Sequence, residues 1–327
     1  MKKVILLNPF IGSTNLGDAV IVNAIKSLFE SWGIDFFAEL TTHRTWTKAE
    51  RKLAAEADYF IVGGSNLLTT SLFPLAHTQW KISLREFRIL RGKSILFGPG
   101  WRKDEGDITT FTTLLYRALM AKESPQLVRD KVSQRRLMKT GRNVVNSSCP
   151  TLFQIDKVIE NSNCHSSNTV VVALSGNVKD VQKDRIIIKI AERNFEKVKL
   201  FPQGTFDPRF PSYSDESYYK ELGLDHEIID GTLEAYSTEL KSGSHYFGTR
   251  LHGGVFAMQH GNPSTIIDVD TRAANIFEDT GYEVFLRDNL TEQMQIERTF
   301  RRPTLNLERN ENYLESIRNL LLSKSEI

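Results

Sequence analysis

Residues 4–32 read VILLNPFIGSTNLGDAVIVNAIKSLFESW, and their pattern sets the fold class. Val4 to Asn8 form a short apolar run that ends in a Gly/Ser/Thr/Asn loop, Pro9 to Gly17. Beyond the loop, Ile21, Ile25, Leu28 and Trp32 recur at helical spacing. The order is strand, loop, helix. It repeats as Phe36 to Leu40 then Lys48 to Ala57, Tyr59 to Val62 then Ala76 to Arg91, and Ser94 to Phe97 then Asp107 to Ala121. Such alternation predicts a parallel sheet wrapped on both faces.

Around residues 141–168 the pattern lapses into a polar, Asn/Ser-rich stretch, which reads as an interdomain connection. A second series follows, with strands at Thr169 to Leu174, Lys197 to Phe201, Ser244 to Phe247 and Ser264 to Ile267. Helices are expected at Asp184 to Asn194, Gly231 to Lys241, from about His252, and from about Leu307 to Leu322. The chain is therefore expected to be α/β, with two Rossmann-like doubly wound domains in tandem. Their expected bounds are 1–165 and 166–305, with a closing C-terminal helix over 306–327. The expected ligand position is the cleft where the carboxyl ends of both sheets meet.

With 327 residues, of which 40% are apolar, the chain can fill two cores. A formal net charge of +2 with interleaved signs gives no field that would gather nucleic acid, so small anions are the expected charged partners. Two cysteines match no metal or redox spacing, which points to a reducing, cytoplasmic compartment. No stretch is apolar enough to span a bilayer as a helix, and the start MKKVILLNPF reads as a first strand rather than a leader. No histidine falls at a metal-ligand spacing, and His245, inside a strand, reads as a satisfied core residue. Asp268-Val269-Asp270 has the form of a metal-holding Asp-x-Asp but comes late in the chain, so it reads as a loop carboxylate pair.

Three loops are expected on the ligand-facing edge: Asn15-Leu16-Gly17-Asp18, Gly63-Gly64-Ser65-Asn66 and Gly98-Pro99-Gly100-Trp101. Glycines there permit close backbone approach to a ligand, and equally they permit a tight strand-to-helix turn. Asp18 is placed either to contact substrate or to cap the helix that follows. No GxGxxG is present, so a nicotinamide or flavin cofactor is not expected. The sharpest pair is Arg250 and His252 in Thr249-Arg250-Leu251-His252-Gly253, between a strand and a helix start. Guanidinium, imidazole and helix N-terminal amides together make an anion site with a titratable neighbour.

Taken in order, these segments resemble the polysaccharide pyruvyl transferase family. The likeness rests on Asn15 to Asp18, on Gly63-Gly64, on Phe97 to Gly100 and on Arg129, Asp130 and Ser133. It rests most on Thr249 to Ala257, closing in Gly261-Asn262-Pro263. The resemblance implies a fold similar to the GT-B glycosyltransferases. It implies transfer of pyruvate from phosphoenolpyruvate to a sugar hydroxyl pair as a cyclic ketal, in cell-surface or exopolysaccharide synthesis, with no cofactor or metal. His252, Arg250 and Asp18 would be catalytic. Arg250, His252, Gly253, Arg272 and Arg129 would bind the donor, and Asn15, Gly17, Asp18, Gly64 and Ser65 the acceptor. Arg272 stands near where the family carries a lysine, in a stretch, Asp268 to Arg272, that departs from its pattern. Ala19 and Cys149 also replace acidic residues of the family. The acceptor would be a saccharide or a lipid-linked oligosaccharide, the latter bringing the chain to a membrane surface, and homo-oligomerisation is compatible with all of this. Two other readings fit the same residues: a metal-independent glycosyltransferase using a nucleotide sugar, and a non-catalytic carbohydrate-binding member of the family.

Overall fold

The computed structural model describes residues 2–71, 79–101, 106–153, 155, 158–204, 214–305 and 307–323. The chain divides into two compact units, one of residues 1–13, 21–150 and 305–327, the other of 14–20 and 151–304. The main division thus falls at Pro150, ahead of the polar stretch around Asn161.

In the first unit the strands are β1 (Val4–Asn8), β2 (Ala38–Thr41), β3 (Tyr59–Gly63), β4 (Ser94–Phe97), β5 (Gln126–Val128) and β6 (Val144–Asn146). They alternate with α1 (Leu16–Ser31), α2 (Lys48–Ala55), α3 (Leu84–Leu90), α4 (Thr110–Leu119) and α5 (Lys131–Met138). All pair in parallel in the order β2-β1-β3-β4-β5-β6. Parallel pairing with helical crossovers buries both sheet faces, which is why β1, β3 and β4 are apolar runs without alternation. Their core gathers Ile5, Leu7, Phe60, Val62, Leu96, Trp46, Trp80 and Tyr116. Helix starts are set locally: Thr47 with Glu50, and Ser83 with Glu86, form reciprocal capping boxes at α2 and α3.

In the second unit come β7 (Thr169–Ala173), α6 (Val181–Asn194), β8 (Lys197–Leu200), α7 (Asp215–Glu221), β9 (Glu227–Ile228) and α8 (Leu233–Lys241). They are followed by β10 (His245–Gly248), α9 (Leu251–Gln259), β11 (Ser264–Asp268), α10 (Arg272–Phe277) and β12 (Phe285–Leu286). The sheet order is β12-β11-β10-β7-β8-β9, again all parallel. Counted within the unit, that is the 3-2-1-4-5-6 order of a dinucleotide-binding fold, with β7 and β10 as its two central strands. Its core includes Val170, Val172, Ile187, Ile190, Leu200, Phe247 and Ile267. The last helix, α11 (Leu307–Leu322), groups with the first unit.

The α/β class and the two doubly wound sheets agree with the sequence reading. That reading passed over β5, α5, β6, α7, β9, α10 and β12, because strands of two or three residues and helices of six to eight carry too few turns to show a period. Part of the helix expected from Ala76 lies outside the described residues, and α3 begins at Leu84.

His245 is buried in β10, and burial pushes its pKa down from the usual 6.5 to about 4. Its Nε2 lies 3.4 Å from the Cys164 carbonyl oxygen, whereas Nδ1 is buried without a hydrogen-bond partner. The imidazole is therefore only half satisfied. The unfolded chain takes up a proton here at a higher pH than the folded chain, so stability present above pH 6.5 is lost as pH falls toward 4. The loss amounts to about 3 kcal/mol. His245→Leu should flatten this part of the urea-unfolding profile between pH 7.5 and 4.5; an unchanged profile would remove His245 as its source.

Candidate functional site

The centre of the second unit is built where β7 and β10 lie side by side and their chains depart to opposite faces of the sheet. Their register pairs Gly248 with Ala173 at the carboxyl ends. A Cβ on Gly248 would fall 2.4 Å from the Ala173 carbonyl oxygen, so only glycine allows this approach. Thr249 then locks the two loop starts together: its N–H donates to the Ala173 carbonyl (2.9 Å), and its Oγ1 accepts from the Ser175 N–H (2.8 Å).

Arg250 follows, and its guanidinium turns inward. Nε donates to Asp215 Oδ2 at 2.9 Å and Nη2 to Oδ1, a bidentate pair in which Asp215 is fully buried and Arg250 is 8% exposed. The same carboxylate accepts the Gly176 N–H (2.8 Å) and the Gly204 N–H (2.7 Å). Asp215 thus ties the turns after β7, β8 and β10 into one rigid piece. Burial alone would lower the Arg250 pKa, but the adjacent Asp215 charge and its hydrogen bonds more than offset this and leave it raised. Arg250 Nη1 has no hydrogen-bond partner among the described residues. The Tyr246 hydroxyl fixes the backbone, donating to the Arg250 carbonyl (2.6 Å) and accepting from the Arg250 N–H (3.1 Å).

Arg250 is the N-cap residue of α9, and its own side chain makes no cap hydrogen bond. The Gly253 N–H turns back to the Arg250 carbonyl (3.0 Å), and the positive end of the helix dipole adds to the guanidinium's charge at this turn. Gly253 and Gly254 let the helix sit directly on the Tyr246 ring; a Cβ on either would lie within about 3 Å of it (3.0 and 2.9 Å). Gly253 is therefore used for packing. His252 stands partly exposed in the first turn.

The Asn15 loop belongs to this same unit. Leu16 N–H donates to the Gln203 carbonyl (2.9 Å), Asn15 and Gly204 form an antiparallel bridge, and Gln203 Nε2 donates to Asn15 Oδ1 (3.2 Å). Asn15 Oδ1 also accepts the Gly17 N–H (3.2 Å), which makes Asn15 the cap of α1. Capping had been open to Asp18; instead Asp18 sits buried in the first turn, its N–H donating to the Asn15 carbonyl (3.0 Å). A Cβ on Gly17 would lie 2.7 Å from Gln203 Nε2 and 3.3 Å from His252 Cβ, so the starts of α1 and α9 meet across Gln203. Asn15, Gly17, Arg250, His252 and Gly253 are thus brought together around Gln203 and Gly204, whereas the expected bounds 1–165 place the Asn15 loop in the other domain.

The other candidates do different work. Arg129, 2% exposed, donates through Nη2 to Asn66 Oδ1 (2.6 Å) and to the Trp101 carbonyl (3.2 Å), and it packs against Gly100. It braces two loops of the first unit. Gly64 and Ser65 both adopt positive φ (52° and 61°), and a Cβ on Gly64 would fall 2.0 Å from Ile21 Cγ2. Gly64 accordingly serves the packing of α1 on the loop. Arg272, read as a replacement cation, is paired with Asp270 (Nη2 to Oδ2, 2.6 Å). Asp268 accepts the N–H groups of Asp270 (3.3 Å) and Ala274 (3.1 Å), the behaviour of a loop carboxylate.

Asp215 and Gln203 were missed. Asp215 reads as an ordinary acidic residue opening a helix, and nothing local announces a partner thirty-five residues on. Gln203 carried a usable signal, since Pro202-Gln203-Gly204 follows β8 on the same sheet edge as the motifs that were recognised.

A family model for polysaccharide pyruvyl transferase matches residues 15–271, from Asn15 through the Arg250 turn to Thr271. The curated proteins searched contain no match to the chain. Among solved structures, UDP-GlcNAc 2-epimerase from Methanocaldococcus jannaschii is similar at a TM-score of 0.51 and 13% identity, over 97% of this chain and 99% of that one. That likeness extends to a GT-B-like fold and no further.

Proposed function

We propose that this chain, which belongs to the polysaccharide pyruvyl transferase family, moves pyruvate from phosphoenolpyruvate to two hydroxyls of a saccharide acceptor. The observation carrying the proposal is the Arg250 guanidinium, held by Asp215 with Nη1 unengaged among the described residues, beside His252 at the start of α9. An anionic donor is drawn there by Arg250 Nη1 and by the positive end of the α9 dipole, while Asp215 holds the guanidinium in place.

The chemistry then balances without redox. A proton is delivered to the donor's methylene carbon, C2 gains cationic character, and the first sugar oxygen bonds to C2. The C2–O bond to phosphate breaks, and the second sugar oxygen closes the ketal. One hydroxyl proton replaces the proton given to the methyl group, and the other leaves with phosphate. His252 is the group assigned to this proton traffic, being the titratable side chain at the start of α9. Asp18 and Asn15 orient the acceptor from the start of α1, and Gly17 lets them approach. Arg272, Arg129, Gly64 and Ser65 contribute through loop shape rather than direct contact. The acceptor, free or lipid-linked, is met in the cytoplasm.

A nucleotide-sugar donor is the rival. Against it stands the start of α6, where this strand order places a dinucleotide's pyrophosphate. Asp180 caps that helix and Asp184 is buried in its first turn, so negative charge already occupies the position. Incubating the chain with phosphoenolpyruvate and a saccharide should release inorganic phosphate and add the mass of pyruvate less water to the sugar. Nucleotide release from a nucleotide sugar, with no phosphate from phosphoenolpyruvate, would favour the rival.

A further inference from the structure

Gln203 is 4% exposed, and its two amide ends have opposite fates. Asn15 Oδ1 already receives the Gly17 N–H, so that atom is an oxygen and the atom of Gln203 facing it must be the donor Nε2. The orientation of the Gln203 amide is thereby fixed, and Oε1 points the other way. Oε1 is buried without any hydrogen-bond partner. It lies against the start of α9, where a Cβ on Gly253 would come within 2.9 Å of it. The amide's other end lies against Gly17, whose missing Cβ would also touch His252.

A buried acceptor with no donor, placed beside the start of α9 and the Asn15 loop, is a position that a bound group can complete. An amide oxygen only accepts, so the group that completes it is a donor such as a hydroxyl or amine. We infer that Gln203 is a specificity-determining residue whose Oε1 accepts a hydrogen bond from a hydroxyl of the saccharide acceptor, placing that hydroxyl beside His252. The inference rests on the reading above for the identity of the acceptor, but the hydrogen bond itself is tested without turnover.

The experiment is titration of the full chain with a panel of methyl hexosides and methyl N-acetylhexosaminides, without donor, followed by separate titration with phosphoenolpyruvate. Native protein should bind at least one glycoside, and Gln203→Met should weaken that binding tenfold or more while phosphoenolpyruvate affinity changes less than twofold. Gln203→Glu separates the two ends of the side chain, since it keeps an acceptor oxygen but loses the donor to Asn15. If Oε1 is the recognising atom, Glu retains most of the glycoside affinity that Met loses. Equal loss in both variants, at unchanged melting temperature, would mean that Gln203 only braces Asn15, and the inference would fall. It would fall as well if no glycoside bound native protein, or if Met left glycoside binding intact. Absence of pyruvyl transfer with the Met and Glu pattern still present would overturn the reaction while sparing the role of Gln203.

Discussion

His252→Ala should lower kcat for pyruvyl transfer by about 10²- to 10⁴-fold, the range a positioned general acid–base group supplies, while phosphoenolpyruvate affinity falls only a few-fold. The split follows from the division of labour at the start of α9. Donor binding draws on the helix dipole and on Arg250, which Asp215 anchors independently of the imidazole. His252 sits partly exposed one residue beyond Leu251, so truncation removes no core packing and the melting temperature should move by less than about 2 °C. Titration with phosphoenolpyruvate and steady-state kinetics on the same preparation give both quantities. A variant with native kcat would remove His252 from the chemistry, and one that loses donor affinity a hundredfold with kcat intact would recast it as a binding group.

The course of the fold could be read because its strands are long apolar runs bounded by glycine-rich turns; β1, β3, β4, β7 and β10 all follow this pattern. What escaped was short. β9 and β12 have two residues each and take their strand character from parallel pairing with the preceding strands, β8 and β11. The site was legible to a similar depth. The residues of Arg250 to Gly253 and Asn15 to Asp18 could be picked out by type and position on the sheet edge. Direction could not: that Arg250 points inward is decided by Asp215, and that Asn15 rather than Asp18 caps α1 is decided by a hydrogen bond to Gly17. Arg129 was drawn to the site by its charge, yet Asn66 and the Trp101 carbonyl hold it in a loop brace. Long-range polar pairing has no period, so pattern reading finds the residues and leaves their partners open.

Asp215→Ala should be the most damaging single substitution in the second unit. The carboxylate is fully buried and receives four hydrogen bonds, two from Arg250 and one each from the amides of Gly176 and Gly204. Removing it strands a buried guanidinium and two backbone donors together. Breaking a buried ion pair from one side costs about 3–5 kcal/mol, most of it the penalty of the charge left behind. For a unit of this size, that shifts the melting temperature down by roughly 10 °C, and heat or urea unfolding of the full chain would show it as an early transition. Asp215→Asn keeps one acceptor oxygen and should fall between native and alanine. The double variant Asp215→Ala with Arg250→Met tests the source of the cost. If the stranded charge dominates, the double variant is more stable than Asp215→Ala alone, even though one more native side chain is gone. Should the double variant instead lose the sum of the two single effects, the amides of Gly176 and Gly204 would be the larger cost. In either case Arg250 loses its anchor, so donor affinity should fall in Asp215→Asn even at temperatures where that variant is fully folded.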